Sequence, residues 1–317
     1  MKEQPLVTIF TCTYNMANKL PFLASSVVEQ TYSNFYWLII DDGSSDNTET
    51  TVANLKEKYT KLKIEYVKLP HGTKPAALNY AFKNVQGKYS LQIDADDELV
   101  PQALEILVNT FENIPEKDRS KYWKVEHNVI DSATGKIVGR PFPKYANFNH
   151  FTQQWLAFHK QGEKNHLMQN DIIKNFEFPL FKGAIHVADI TVWYACQLQY
   201  RSWFINDALR IYHQDEMQVG RLSNSSCATK SRILGTYKGF QFLINNYFPY
   251  HRLRYVLTYC KLIISCTANG LKCGDSLTNV NKNFTHKVEK FWSTFLFPIA
   301  YFHFKRSGGV AIDDLNN

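Results

Sequence analysis

The sequence predicts an α/β fold: a mostly parallel, twisted sheet with helices on both faces, followed by a C-terminal helical extension. Three observations carry this. Apolar, β-branched runs alternate with stretches of helical period through the first hundred residues. A polar cluster closes each apolar run. The last third then turns basic and aromatic, with long apolar helical stretches.

Residues 6–14, LVTIFTCTY, form a continuous apolar run, the pattern of a strand buried on both faces. A helical pattern follows, with Leu20, Leu23, Val27 and Val28 on one side. Residues 35–42, FYWLIIDD, make a second strand, and 47–59 a second helix. Residues 62–69 make a third strand, 75–85 a helix, and 89–94, YSLQID, a fourth strand. This order implies right-handed crossovers and a parallel sheet. Such sheets bind ligands beyond the carboxyl ends of their strands. There the sequence places TYN, DDGSSD, HGTK and DADD. Farther on, KYWKVEHNVID and GKIVGRPF suggest a hairpin over SATG. Residues 188–199 read as a helix, 202–213 as a short strand, and about 229–246, 250–268 and 286–305 as helices.

At 317 residues and 44% hydrophobic composition, the chain can bury a substantial core. It opens MKEQPLVTIF, without the apolar core of a signal peptide. Its six cysteines are scattered and form no CxxC pair, so reduced thiols in the cytoplasm are expected rather than a disulfide framework or a zinc site. The sequons at Asn224 and Asn283 then read as chance. Residues 221–317 hold 13 Lys/Arg against 4 Asp/Glu, whereas 1–220 hold 23 against 25. The net charge of +7 therefore belongs to the C-terminal third. No nucleic-acid-binding module is present, and the acidic rim opposes a phosphate backbone.

Asp94, Asp96 and Asp97 stand at the end of the fourth strand, where like charges repel. Asp-x-Asp there suits a hard divalent cation, Mg²⁺ or Mn²⁺, whose remaining positions substrate phosphates can fill. A solvated acidic turn, or capping of the next helix by Asp97 and Glu98, is the alternative. Asp41 and Asp42 likewise end an apolar strand and could accept hydrogen bonds from a base N–H or ribose hydroxyls. Asp46 or Asn47 suits a helix cap, and Gly43 a turn. Neither a Walker loop nor GxGxxG occurs.

Residues 8–15 (TIFTCTYN), 39–48 (IIDDGSSDNT) and 74–101 (KPAALNYAFKNVQGKYSLQIDADDELVP) resemble family 2 glycosyltransferases of the GT-A fold. The likeness is firm over roughly 5–105 and looser to about 215. It implies a catalytic domain over 1–220, with 1–105 binding the nucleotide sugar and 106–220 the acceptor, and a helical extension over 221–317. It implies a nucleotide-diphosphate sugar donor, UDP by family frequency, a divalent metal, and inverting transfer of one sugar to a glycan or lipid-linked acceptor in cell-surface polysaccharide synthesis. Thr13 and Tyr14 would flank the base, with Asp42 and Asp41 at the base or ribose. Lys74 and Asn79 would lie near the base or diphosphate. Asp94 would face the ribose, Ala95 and Asp96 would belong to the same nucleotide-sugar site, and Asp96 and Asp97 would hold the metal. The general base belongs to a Glu-Asp pair opening a helix; here Asp189 matches the aspartate and Ala188 replaces the glutamate, with Asp171 and His186 as substitutes. His213 matches the family's histidine after a short strand, a further metal or diphosphate contact. Trp155, Trp193 and Trp203 are candidates for stacking, or for core.

Processive members carry Gln-x-x-Arg-Trp and several membrane spans, and QLQYRSW (197–203) lacks that spacing. A nucleotidyltransferase would need a Gly-rich, basic loop where TCTYNMANKL stands. A non-catalytic nucleotide-sugar-binding or scaffold protein of a glycan assembly complex is the alternative to an enzyme. The basic, aromatic helices over 250–306 suit a membrane surface and hence a peripheral place at the inner face of the cell membrane. Packing on a second subunit, making a homo-oligomer, is their other use.

Overall fold

The computed structural model describes residues 4–142, 162–184, 186–213, 230–253 and 255–308. They divide into two compact units, one of 1–177 with 199–216 and one of 178–198 with 217–317. Residues 178–198, expected in the first domain, thus group with the C-terminal helices.

The first unit carries the sheet. β1 (Val7–Thr13), β2 (Phe35–Asp41), β3 (Ile64–Lys68) and β4 (Tyr89–Gln92) arise from the four apolar runs and lie parallel in the order β3-β2-β1-β4. β1 is central: Val7 pairs with Phe35 on one side and Tyr89 on the other. Beyond β4 come β7 (Lys164–Gln169), β6 (Tyr122–Asp131), β8 (Arg201–Tyr212) and the two-residue β5 (Glu98–Leu99). β7 runs antiparallel to β4 and β6, and β5 antiparallel to β8, so the sheet is mixed with a parallel half.

Helices α1 (Leu20–Val28), α2 (Thr48–Lys58), α3 (Lys74–Asn84) and α4 (Ala103–Asn113) fill the crossovers, with short α5 (Glu116–Arg119) and α6 (Asn170–Ile173). α3 starts sharply because the Thr73 side chain accepts the Ala76 N–H and Pro75 sits in the first turn. α1 buries Leu20, Leu23, Ala24 and Val27. Val28, expected on the same face, is exposed at the helix end, where the stripe has rotated away. One core joins Leu23 and Val27 to Ile9, Ile39, Leu91, Leu104, Leu107 and Phe111. Each such side chain contributes about 1.5–3 kcal/mol relative to exposure.

The hairpin over SATG is reduced to a turn. Thr134 donates to the Asp131 side chain, and Ile137 meets Ile130 in a single bridge. β7 and β8 already occupy the two edges of β6.

The second unit is helical among its described residues: α7 (Ile190–Gln199, contributing through residue 198), α8 (Lys230–Asn246), a 3-10 turn (Phe248–Tyr250), α9 (Val256–Lys272), α10 (Leu277–Lys282), α11 (Lys287–Phe295) and α12 (Phe297–Arg306). The stretch expected to form one helix over 286–305 breaks at Leu296, because Pro298 in the first turn of α12 lacks the N–H a continuous helix needs. Glu289 is buried and offset by Arg252, whose Nε and Nη2 donate to its Oε1 at 2.9 and 2.8 Å.

Candidate functional site

The carboxyl ends of β1, β2 and β4 and the loop after β3 gather the polar clusters onto one rim of the first unit. Two loops lock it. Asn15, in the left-handed region at φ 52°, accepts the Ser45 N–H through its side chain at 2.9 Å, and its own N–H donates to Ser44 Oγ at 2.8 Å. Gly43 has φ +73°, and a Cβ there would lie 2.6 Å from the His71 nitrogen, so the approach of the two loops requires glycine. Asp46 Oδ1 accepts the Thr48 N–H at 3.0 Å in a local turn ahead of α2, whose N-cap residue Asn47 makes no side-chain capping bond among the described residues.

Thr13 is buried at the end of β1. Tyr14 projects outward and stacks on His71, with centroids 4.3 Å apart and planes at 16°. Asp42 Oδ1 accepts the Gly72 N–H at 2.9 Å, while Oδ2 faces His71 Nδ1 at 3.4 Å. Burial raises the Asp42 carboxyl above its ordinary range, against the Gly72 hydrogen bond and His71. Asp41 differs. It is fully buried, accepting from the Ser44 N–H at 2.8 Å on one oxygen and from Tyr66 O–H at 2.6 Å on the other. Its carboxylate holds the turn together. Asn79 is buried on α3.

The acidic cluster answers its own repulsion with an arginine far away in sequence. β5 pairs with β8, setting Glu98 opposite Ile211 and Leu99 opposite Arg210. Arg210, 4% exposed, donates from Nε to Asp97 Oδ2 at 2.6 Å and from Nη2 to both Asp97 and Asp94, the latter at 2.8 Å. Lys74 Nζ reaches Asp94 Oδ1 at 3.2 Å. Burial would raise the Asp94 carboxyl, but Lys74 and Arg210 outweigh it and hold the group far below its usual range. Burial pushes Asp97 up to about 7, with repulsion from Asp94 and Asp96 adding and Arg210 opposing. The buried Asp97 and the half-buried Asp94 thus share one guanidinium, and the firm negative charge sits on Asp94.

This geometry bears on the expected metal set. Asp97 is buried and engaged at both oxygens, Oδ1 accepting the His213 N–H at 3.1 Å. The His213 ring meets Glu98 at 2.6 Å through Nε2. Among the described residues no three His, Cys, Asp or Glu side chains gather as a metal cluster. Asp96 remains half-buried at the strand end, beside the buried Ala95. These residues fit an ion held by one protein carboxylate and completed by substrate phosphates, as Mg²⁺ commonly is, rather than an all-protein cage.

Asp189 lies in the second unit immediately before α7, and its carbonyl accepts the Val192 and Trp193 N–H groups, both at 3.1 Å. His186 is also in that unit; Asp171 sits in the first turn of α6. Trp203 packs edge-on against Tyr122 and Trp193 against Phe178, each within its own unit. Trp155 lies outside the described residues. Sequence reasoning passed over Arg210 and His71. The signal for Arg210 was available: an arginine inside the apolar run ALRIY needs a buried partner.

Sheet and rim define an α/β fold of the GT-A type with an acidic ligand edge. Residues 8–118 match the family described as Glycosyl transferase family 2. Relatives include uncharacterized glycosyltransferases of Rickettsia, such as RT0329 of Rickettsia typhi, 34% identical over 42% of this chain and 40% of its own length. The chain spans 19% to 40% of the length of these first rickettsial relatives, 19% for that of Rickettsia felis. The Escherichia coli UDP-Glc:alpha-D-GlcNAc-diphosphoundecaprenol beta-1,3-glucosyltransferase WfgD is 27% identical over 59% of this chain and 68% of its own. Among solved structures, S. aureus TarS 1-349 in complex with UDP-GlcNAc superposes with a TM-score of 0.55 at 16% identity, covering 90% of this chain and 86% of that one. The mannosyltransferase PcManGT from Pyrobaculum calidifontis, in complex with GDP-Man and Mn²⁺, gives 0.53 at 18%, covering 94% and 86%.

Proposed function

We propose that the chain is an inverting glycosyltransferase that moves one sugar from a nucleotide-diphosphate sugar to a hydroxyl of a glycan or lipid-linked acceptor in cell-surface polysaccharide synthesis. The observation that carries this is the rim itself. Asp42, Asp94, Asp96 and Lys74 converge at the carboxyl edge of a parallel sheet, in a segment that matches family 2. TarS with UDP-GlcNAc and PcManGT with GDP-Man support a nucleotide-sugar donor, and WfgD supports a lipid-linked acceptor and UDP.

On this reading Thr13 and Tyr14 flank the base, Asp42 Oδ2 accepts from the base or ribose, and Asn79 lies near the base or diphosphate. Lys74, held on Asp94, offers positive charge to the diphosphate. Asp96 would hold Mg²⁺ or Mn²⁺, which neutralises the charge developing on the leaving diphosphate. Asp189 removes the acceptor proton as the hydroxyl oxygen attacks the anomeric carbon from the side opposite the diphosphate, inverting that centre. The catalytic part covers 1–220, with the donor held by 1–105 and the acceptor by 106–220. The chain works at the inner face of the cell membrane, where a lipid-linked acceptor presents its sugar.

Calorimetric titration of UDP, GDP and dTDP, with Mn²⁺ or EDTA, tests the reading on the wild type and on Asp96→Ala. One nucleotide should bind, and EDTA or the substitution should weaken it at least tenfold. In the same preparation Asp189→Asn should abolish donor hydrolysis while nucleotide binding survives. Absence of binding by all three nucleotides under both metal conditions would overturn the transferase reading. Binding in the wild type without any hydrolysis or transfer would leave a nucleotide-sugar-binding scaffold.

A further inference from the structure

Helices α11 and α12 carry one buried stripe and one exposed apolar stripe. Glu289, Ser293, Leu296, Ala300 and Phe304 recur at intervals of three and four and are buried in the second unit. Val288, Phe291, Phe295, Ile299 and Phe302 recur at the same intervals and are exposed. At 100° per residue the two sets stand on roughly opposite sides of the helical pair. Phe291, Phe295 and Phe302 are each more than 60% exposed. A folded chain does not ordinarily leave three phenylalanines of one stripe in water. The rings also support one another: Phe291 and Phe295 are parallel at 11°, and Trp292 meets Phe295 edge-on at 5.7 Å.

The charges beside this stripe have one sign. Lys287, Lys305 and Arg306 are exposed and Lys290 partly so, along its border. Glu289, the sole acid in residues 286–308, is buried against Arg252. Lys305 Nζ lies 5.5 Å from the centre of the Tyr301 ring, so its stem follows the aromatic surface while the ammonium stays outside it. Nearby, Leu253 is almost fully exposed and Tyr250 nearly so, one and two residues from the Arg252 that anchors Glu289. Among the described residues no helix is long and apolar enough to cross a membrane.

We infer that the exposed face of α11 and α12 is a docking surface for an anionic lipid bilayer. The inference deepens the proposed function by assigning residues to its membrane contact, and donor binding plays no part in its test. A protein partner would be expected to meet acidic groups with this basic border and to leave polar residues within the patch. A bilayer explains the aromatic content and the positive border together. The rings enter the boundary between headgroups and acyl chains, while lysine and arginine stay at the level of anionic phosphates. Such a surface lies in the interface rather than spanning it, consistent with two helices of nine and ten residues.

Sedimentation of the full chain with vesicles supplies the test. Phosphatidylcholine vesicles with and without about one-third phosphatidylglycerol are compared at low and high salt. Binding should require the anionic lipid and fall at least tenfold between low and high salt. Phe291→Ser combined with Phe295→Ser and Phe302→Ser should abolish it. Lys287→Glu with Lys290→Glu should weaken it by about fivefold per residue, with no change on zwitterionic vesicles. The substituted side chains are exposed, Lys290 partly, so melting temperatures should match the wild type. If the wild type ignores anionic vesicles, or if the charge variant binds them equally well, the inference fails. A dimer in analytical ultracentrifugation that the triple serine variant dissolves, with vesicles ignored, would assign the face to a second copy instead. Calorimetric nucleotide binding, measured in parallel, tells failure of docking from failure of the transferase reading.

Discussion

Arg210 shows what a single residue contributes beyond its neighbours. It allows Asp94 and Asp97 to lie together at a strand end, and its own burial is tolerable only because both accept from it. The carboxylates were legible in DADD, and ALRIY signalled an arginine in need of a partner; that the two meet was not legible, since it depends on a two-residue strand pairing across more than a hundred residues. Another buried group sets a pH dependence. His127 on β6 is fully buried, its Nδ1 facing the Asn128 carbonyl at 2.8 Å, while Nε2 has no hydrogen-bond partner among the described residues. Burial, with Arg210 and Lys164 adding, lowers its pKa to about 4. The unfolded chain takes up this proton near pH 6.5, whereas the folded chain resists until about 4. Stability from this group is therefore complete above 6.5 and lost as pH falls towards 4, by roughly 3 kcal/mol at most. Denaturant midpoints at pH 4.5, 5.5 and 6.5 should fall more steeply for the wild type than for His127→Phe. Parallel slopes would mean that His127 does not titrate in this way.

Elements were legible where one period ran undisturbed. The four parallel strands announce themselves through apolar runs, and α1 to α3 through their spacing. β7 does not, because KNHLMQ buries Asn165 and His166 along with Leu167 and Met168, so its apolar signal is diluted by polar groups that only the fold encloses. β5 is too short to show any period. In the second unit, the approach of α8 to the segment before α7 depends on two glycines one turn apart. A Cβ at 235 would lie 1.6 Å from the His186 carbonyl oxygen, whereas one at 239 would meet Thr191 Oγ1 at 2.7 Å. Alanine in a helix ordinarily gains about 1 kcal/mol over glycine. At Gly235 the obstacle is backbone and cannot swing aside, so overpacking should win and Gly235→Ala should destabilise by about 2 kcal/mol or more. Gly239→Ala meets a side chain that can turn, and should cost less. Urea unfolding of the two variants checks the order; equal or stabilising effects at both positions would show that the contact yields.

The whole molecule keeps two kinds of surface in two units. The acidic rim belongs to the sheet unit, and the aromatic, basic face to the helical one. The charge of the sequence divides in a related way, with the positive excess confined to residues 221–317. The exact border between the units was not visible, because 178–198 group with helices that follow some thirty residues later, a matter of packing rather than composition. Two surfaces with different ligands predict two separate footprints in hydrogen exchange. A nucleotide with Mn²⁺ should slow exchange in peptides covering 13–16, 41–46, 71–79 and 93–98, where backbone N–H groups of the rim loops are tied down by a bound ligand. Anionic vesicles should instead slow exchange in peptides covering 287–306, and zwitterionic vesicles should leave both regions unchanged. Protection of 287–306 by nucleotide alone would mean that the helical face responds to the donor. Protection of the rim by vesicles alone would mean that the acidic edge faces lipid. Either result would undo the assignment of one surface to each ligand.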